Sequence, residues 1–204
     1  GEYLLHRFAM HELNGRGIMS REHLQHHVKA DWNFGGMMLL SWLGIVLVGS
    51  LGLLPIGWLL VGLPFGISLA VGWAAGYFFY EYQHAASHLK GPRGWYSTMV
   101  RRHHFHHHFG HPMSNHGVTT PFWDMVFRTR EKPEVVRVPR RLAIGWMLDD
   151  DGELLPQYQE HYVLVGTVGS TDRLAAIDKA RAFASKPPVD GLEDPLVEAE
   201  LVSP

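Results

Sequence analysis

The sequence predicts an all-α membrane protein: a transmembrane helical hairpin, a cytoplasmic histidine-lined helical cap, and a small C-terminal extension. Three observations predict it. From Asn33 to Tyr80, 48 consecutive residues include no Asp, Glu, Lys, Arg or His. Fourteen of the 15 histidines fall in two blocks, 6–27 and 84–116, one on each side of that stretch. The basic residues divide in the same way, with Arg7, Arg16, Arg21 and Lys29 before it, Lys90, Arg93, Arg101, Arg102, Arg128, Arg130 and Lys132 after it, and none inside.

Composition removes several function classes. A length of 204 residues suits one domain with a small appendage. The 18 basic and 20 acidic side chains nearly cancel, so there is no cationic footprint for nucleic acid. With no cysteine, disulfide frameworks, thiolate zinc sites, iron–sulfur clusters and cysteine nucleophiles are all excluded. The chain opens on charged and histidine-bearing residues, which is not a signal-peptide pattern.

A single helix of 48 residues would reach roughly 70 Å, more than twice a hydrocarbon core of about 30 Å. The stretch must therefore fold back. Gly52, Pro55 and Gly57 mark the break, which predicts spans over 36–53 and 58–80 within a hairpin at about 36–80. Met37–Val48 carries no polar face, unlike a core helix of a soluble protein. A hairpin returns both ends to one side, so the histidine blocks meet there, and the flanking Lys and Arg place them in the cytoplasm. Pro121–Phe127 reads as an apolar helix or interfacial anchor. Residues 142–166 read as a β-hairpin turning at Asp150-Asp151-Gly152. Thr171 is placed to cap a short amphipathic helix reaching Ala184, and the tail from Lys186 reads as loose. The expected division is a domain over 1–130 and an extension over 131–204 (hairpin, short helix and tail).

The histidines form four clusters: His6-x4-His11, His23-x2-His26-His27, His84-x3-His88, and the run 103–108 interrupted by Phe105. Residues at i, i+3 and i+4 share a helix face, so His23, His26 and His27 point together, as do His84 with His88, and His104 with His107 and His108. His6 and His11 are five apart, about 140° on a regular helix, and converge only across a helix end or a bulge. Ten imidazoles exceed what one ion uses; two ions with four or five ligands each is the economical count. His103 and His106 leave the shared face, His111 and His116 are weaker candidates, and His161 reads as surface. Four spaced clusters around an apolar stretch are neither a tag nor a low-complexity scavenger. Imidazole without thiolate suits iron, zinc, copper or nickel, and the His-Glu-x-x-His helix of zinc hydrolases is absent. A histidine-ligated di-iron centre can bind dioxygen and attack an unactivated C–H bond, and lipid C–H bonds are what a site at the bilayer surface reaches.

These motifs resemble the fatty acid hydroxylase superfamily of integral membrane proteins, which includes fatty acid 2-hydroxylases, sterol desaturases and sterol methyl oxidases. The resemblance covers roughly residues 1–130: four histidine boxes in order around the hairpin, ending in Asn115-His-Gly-Val-Thr-Thr-Pro-Phe-Trp-Asp-Met-Val-Phe127. It implies metal ligands at His6, His11, His23, His26, His27, His84, His88, His104, His107 and His108. His103, His106 and His107 also satisfy the last spacing. The later register is preferred because eight residues separate its final pair from Gly117, the interval expected of 2-hydroxylase-like members. There are two departures: His116 stands where members usually carry an aromatic residue, and only five residues precede the first box, upstream of which members usually carry an apolar hairpin.

The resemblance further implies two iron ions, dioxygen as co-substrate, and a membrane lipid substrate, with a fatty acyl chain favoured over sterol or carotenoid. It implies an electron-donor protein of ferredoxin or cytochrome type on the cytoplasmic face, which Arg101 and Arg102 would receive, though lipid phosphates account for those residues equally. Glu81 or Asp124 would orient ligating imidazoles. Zinc fits the same ligands. Desaturation at the same centre is the alternative outcome, and a non-enzymatic membrane metal-binding protein is the alternative of another class. A metal transporter is disfavoured, because the 48-residue stretch holds no ionisable group.

Overall fold

The computed structural model describes residues 1–190, and it is mostly helical. Helix α1 (Glu2–Leu4) runs directly into a π-helical turn, Leu5–His11, closed by the Glu12 N–H on the Arg7 carbonyl at 2.9 Å. The i→i+5 repeat of that turn brings His6 and His11 onto one face, with ring centroids 5.2 Å apart. This is the bulge that their spacing demands. Helix α2 (Ile18–Lys29) ends where Ala30 takes a left-handed φ of 51°.

The first long apolar helix is continuous from Gly36 to Leu60. It comprises α3 (Gly36–Leu47), a π-helical stretch Val48–Leu53, and α4 (Leu54–Leu60). The break expected at Gly52–Gly57 does not occur. Proline inside a helix lacks an N–H and its ring strikes the carbonyl four residues back. Here the widened π-helical turns precede Pro55, which falls in the first turn of α4, where a missing N–H is tolerated. The chain reverses instead at Val61–Gly62, where Gly62 has φ +130°. Pro64 then opens α5 (Leu63–Leu89).

The two long helices meet through glycine. A Cβ on Gly66 would lie 2.3 Å from the Leu54 carbonyl oxygen, and one on Gly57 would lie 2.8 Å from the Gly66 Cα, so small residues set the helix separation. Trp73 adds a cross-link, donating its indole N–H to the Ile45 carbonyl at 3.0 Å. Gly66→Val is accordingly expected to force the pair apart and to cost about 1–3 kcal/mol, the usual range for overpacking. A thermal melt in detergent checks this, and an unchanged midpoint refutes it. Only 22% and 17% of the most apolar windows of the two helices are buried, and Leu59 and Leu60 are 84% and 76% exposed. A soluble core pair would hide these faces; an exterior of this kind suits lipid.

Helix α6 (Gly94–Phe109) completes the histidine-bearing helices. The short α7 (Phe122–Val126) turns Asp124 inward and leaves Phe122, Trp123, Met125 and Val126 exposed, as an interfacial anchor would.

The extension departs from expectation. Strand β1 (Val136–Pro139) pairs in parallel with β2 (Tyr162–Val165), in the register Val136↔Tyr162, so the fold is not purely helical. The hairpin expected over 142–166 contracts to one antiparallel bridge, Leu148↔Leu154, around a turn in which the Asp149 carboxylate accepts from the Asp151 and Glu153 N–H groups. Its first arm is instead broken into 3₁₀ turns at Arg140–Leu142 and Gly145–Met147, which pack Leu142, Ala143 and Met147 into a core with Phe105 and Phe109 of α6. Helix α8 (Asp172–Phe183) forms where expected, and Thr171 Oγ1 accepts the Leu174 N–H at 3.1 Å. It packs on α2 and is tied to Arg141 by a buried bidentate pair through Asp178, at 2.9 and 2.8 Å. The start of the tail is held rather than loose: Arg181 binds the Pro187 carbonyl and Arg141 that of Val189. Residues 191–204, the rest of the expected loose tail, lie outside the described residues.

Candidate metal centre

The ten histidines singled out by spacing come together in two groups of five. One holds His6, His11, His23, His27 and His107; the other holds His26, His84, His88, His104 and His108, and within each group the five ligand nitrogens lie within 4.8 Å of one another. The helix pitch accounts for the division. His23 and His27 of α2 are i, i+4 and face the first group, whereas His26, about 100° away, faces the second. In α6, His104 and His108 share the second group and His107 turns to the first. The π-helical turn supplies His6 and His11, and the end of α5 supplies His84 and His88.

Four of the remaining histidines lie elsewhere. His103 Nε2 meets the Asp124 carboxylate at 3.0 Å, while His106 and His111 share Glu131 at 2.7 and 2.5 Å. Geometry thus joins the 104/107/108 register and leaves the 103/106 alternative out. His161 sits in the extension beside Tyr162. His116 is fully buried with its ring 5.5 Å from those of His6 and His107, outside the five.

The spacing within the first group tests whether it fits an ion. Nε2 atoms of His6 and His23 are 3.0 Å apart, His11 and His23 2.9 Å, His23 and His27 3.1 Å, His11 and His107 3.0 Å, and His27 and His107 3.1 Å. Two imidazole nitrogens bound at right angles to one ion, with bonds of about 2.1 Å, sit about 3.0 Å apart. The outer nitrogens show where the protons are. His6 Nδ1 donates to the His116 carbonyl at 2.6 Å and His107 Nδ1 to the Ser114 carbonyl at 2.7 Å; a carbonyl only accepts, so these rings carry the proton on Nδ1 and present a bare Nε2 lone pair. At most three of the five Nε2 contacts can be bridged by a ring proton, one each from His11, His23 and His27; the others set lone pair against lone pair, and these repel at 3 Å unless a cation lies between them. In the second group, His84 and His26 are 2.9 Å apart through Nε2, as are His88 and His104. His88 Nδ1 donates to the Ala30 carbonyl at 3.0 Å, and His26 Nδ1 to that of Asp31. Both ring nitrogens of His108 are buried without a hydrogen-bond partner among the described residues, which again fits an ion facing the group.

Electrostatics favours the ligating form. Burial, joined by repulsion from neighbouring imidazoles, pushes the His6 pKa down to about 3. Burial takes His26 down to about 4, and holds His11, His23, His27, His104, His107 and His108 well below the ordinary value. All are neutral at pH 7.

The two carboxylates expected to orient imidazoles do not do so directly. Asp124, which burial alone would push up, is held well below the usual carboxylate range by hydrogen bonds from His103, Thr129 and the Gly117 N–H, with the His116 N–H at 2.8 Å completing the set. It touches none of the ten. It fixes the loop whose Ser114 and His116 carbonyls receive His107 and His6, and this loop requires Gly117, since a Cβ there would lie 2.0 Å from the Thr120 carbonyl oxygen. Glu81 lines a cavity of about 370 Å³ between α2 and α5, bordered by His26, His84, Met37, Met38 and Tyr77. Arg101 is not available to a docking protein. It is buried, and its guanidinium binds the Ala86 carbonyl at 2.7 Å and that of Lys90 at 2.9 Å, capping the end of α5 just beyond His84 and His88. Arg102 reaches the Pro133 and Glu134 carbonyls. Sequence reasoning missed Ser185, whose hydroxyl is 3.1 Å from His11 Nδ1. It also missed the carbonyl acceptors. For these a faint signal exists, since Asn115, a residue type prone to left-handed φ, takes φ 55° between Ser114 and His116.

Comparison with known proteins bears directly on this arrangement. The sequence profile of the fatty acid hydroxylase family matches residues 1–129. The chain belongs to the fatty acid hydroxylase family. Its relatives include the fatty acid 2-hydroxylases of Macaca fascicularis, 33% identical over 143 residues, and Homo sapiens, 31% identical over 143 residues, each covering 66% of this chain. That of Rattus norvegicus is 29% identical over 134 residues, covering 63% of this chain. The matched segment is 38%, 38% and 36% of these three relatives, so the chain spans little more than a third of their length. No solved structure matches significantly. As a fatty acid hydroxylase family member with two long apolar helices, the chain is a membrane protein whose histidine groups fit metal. All ten grouped histidines and Asp124 fall inside the family match, and Ser185 falls outside it.

Proposed function

We propose that this fatty acid hydroxylase family member hydroxylates a C–H bond of a membrane lipid, a fatty acyl chain in the favoured case, at a di-iron centre held by the ten grouped histidines. The observation that carries this reading is the pair of five-imidazole groups set beside a cavity that adjoins two lipid-suited helices. When bound, the two irons supply the redox chemistry that lets dioxygen, two electrons and two protons convert C–H to C–OH and water. Zinc fits the same ligands without that redox capacity.

The residues of the chain do the rest. Outward hydrogen bonds from Nδ1 lock ring orientation and tautomer, and burial keeps the rings unprotonated. Tyr77, Met37 and Met38 give the cavity an apolar wall that accepts hydrocarbon beside His26 and His84. At about 1.5 Å per residue, the 27 residues of α5 outreach a 30 Å hydrocarbon core by about 10 Å, so the helical pair is read as a transmembrane hairpin with His84 and His88 projecting into the cap. Flanking Lys and Arg support a cytoplasmic cap, where a ferredoxin-type or cytochrome-type donor would dock. On this reading the domain over 1–130 holds the whole ligand set and 131–204 forms the extension.

The test is lipid mass spectrometry on cells expressing the chain under ¹⁸O-labelled dioxygen. A lipid that gains one labelled oxygen is the expected result. A product lighter by two hydrogens moves the assignment to desaturation, and no lipid change that depends on the chain and on dioxygen overturns the enzymatic reading.

A further inference from the structure

The family match ends at residue 129, yet the chain continues into a folded extension that returns to the first histidine group. Helix α8 packs on α2, which carries His23, His26 and His27. At its end the Phe183 ring closes on the loop after the π-helical turn, where a Cβ on Gly15 would lie 2.8 Å from that ring. Two residues on, Ser185 adopts a left-handed φ of 51°, and its N–H is bound to the Ala182 carbonyl at 2.9 Å. The residue is 8% exposed, and its side chain faces His11.

The hydroxyl makes two contacts with that one residue. Ser185 Oγ lies 3.1 Å from His11 Nδ1 and 3.4 Å from the His11 carbonyl oxygen. A hydroxyl has one proton to give, and a carbonyl can only accept. A ligating His11 turns its Nε2 lone pair to the group and keeps its proton on Nδ1; the Ser185 oxygen then accepts that Nδ1–H, and its own proton is left to point toward the carbonyl. The same hydrogen bond holds the ring so that Nε2 lies 2.9 Å from His23 Nε2 and 3.0 Å from His107 Nε2. His6 and His107 obtain the same service from backbone carbonyls within the family-matched region. For His11 it comes from a side chain 174 residues away.

We infer that Ser185 is a positioning residue of the first metal group, so that the C-terminal extension is a working part of the metal centre. The inference rests on the reading that the group holds a metal ion. It predicts that the two groups respond differently to loss of one hydroxyl.

The full chain, purified in detergent and loaded with cobalt(II), is transferred into excess chelator while metal release and the cobalt absorption bands are followed. The unaltered protein is expected to hold two equivalents. Ser185→Ala should speed release of one equivalent by about 10–100-fold and shift its bands, with the other equivalent changed by less than about two-fold. Ser185→Gly should do the same, even though glycine suits φ 51° better than serine. Thr171→Ala, which removes the α8 cap but keeps the hydroxyl, should lower the melting temperature without that change in release. Parental release rates in both Ser185 variants overturn the inference. So does faster release of both equivalents alike, or parental behaviour restored by glycine alone. An unaltered protein that binds fewer than two equivalents overturns the metal reading itself, which separates the two failures.

Discussion

His107→Ala is expected to abolish lipid oxidation, while His106→Ala, one residue away, leaves it within about two-fold, since it removes only a hydrogen bond to the part-exposed Glu131 carboxylate. The contrast follows from the pitch of α6. His107 is fully buried, its Nε2 lies 3.0 Å from that of His11 and 3.1 Å from that of His27, and its Nδ1 is bound to the Ser114 carbonyl. Alanine there removes one of five nitrogens and leaves the Ser114 carbonyl without its donor. The loss should exceed the 10–100-fold typical of removing a hydrogen-bond partner outside the ligand set. His106 points the other way and meets Glu131, whose side chain is 44% exposed. The same pair of variants decides the register of the last histidine box, because the 103/106/107 reading makes His106 a ligand. Product formation per unit of membrane-inserted protein, with metal content measured alongside, is the assay. Equal loss in both variants would sink the assignment.

That register also shows what could be read from residues alone. The ten histidines were legible because i, i+3 and i+4 spacing encodes a shared face, and the five-residue gap between His6 and His11 required the bulge that the π-helical turn provides. Which five nitrogens gather together was not legible, since helix pitch parts His26 from His27 but the relative orientation of four elements decides which imidazoles each then meets. Gly52, Pro55 and Gly57 misled as local punctuation: their setting is tertiary, with Gly57 packed on Gly66 and Pro55 admitted after widened helical turns. Arg101 has the composition of a surface residue but spends its donors on the carbonyls ending α5. The apolar residues of 142–147 suggested a strand, yet they fill the space against Phe105 and Phe109 in 3₁₀ turns. No local pattern could pair Ser185 with His11.

Acidification of the metal-free protein from pH 7 to pH 5 is expected to unfold the histidine-lined cap. The sign follows from the direction of the shifts. An unfolded histidine titrates near 6.5, whereas burial first, and neighbouring imidazoles next, hold His6 to about 3 and His11, His23, His27, His104, His107 and His108 well below their ordinary value. Stability contributed by a depressed pKa is present above the unfolded value and is lost as pH falls through the window between the two. Below about pH 6.5 the unfolded chain takes up protons that the folded cap refuses. Each such histidine then costs about 2 kcal/mol between pH 7 and 5, so three of them remove about 6 kcal/mol from a total that is about 5–15 kcal/mol for a typical domain. A bound metal opposes this, because it binds only the neutral rings and adds its own binding energy to the folded state. The metal-loaded protein should therefore resist acid to a lower pH, then lose metal and structure together in a steeper step. Melting curves at half-unit pH intervals, with and without chelator, measure both effects. A metal-free midpoint that stays flat from pH 7 to pH 5 would show that the imidazoles reach water in the folded cap, and the buried, neutral centre described above would have to be abandoned.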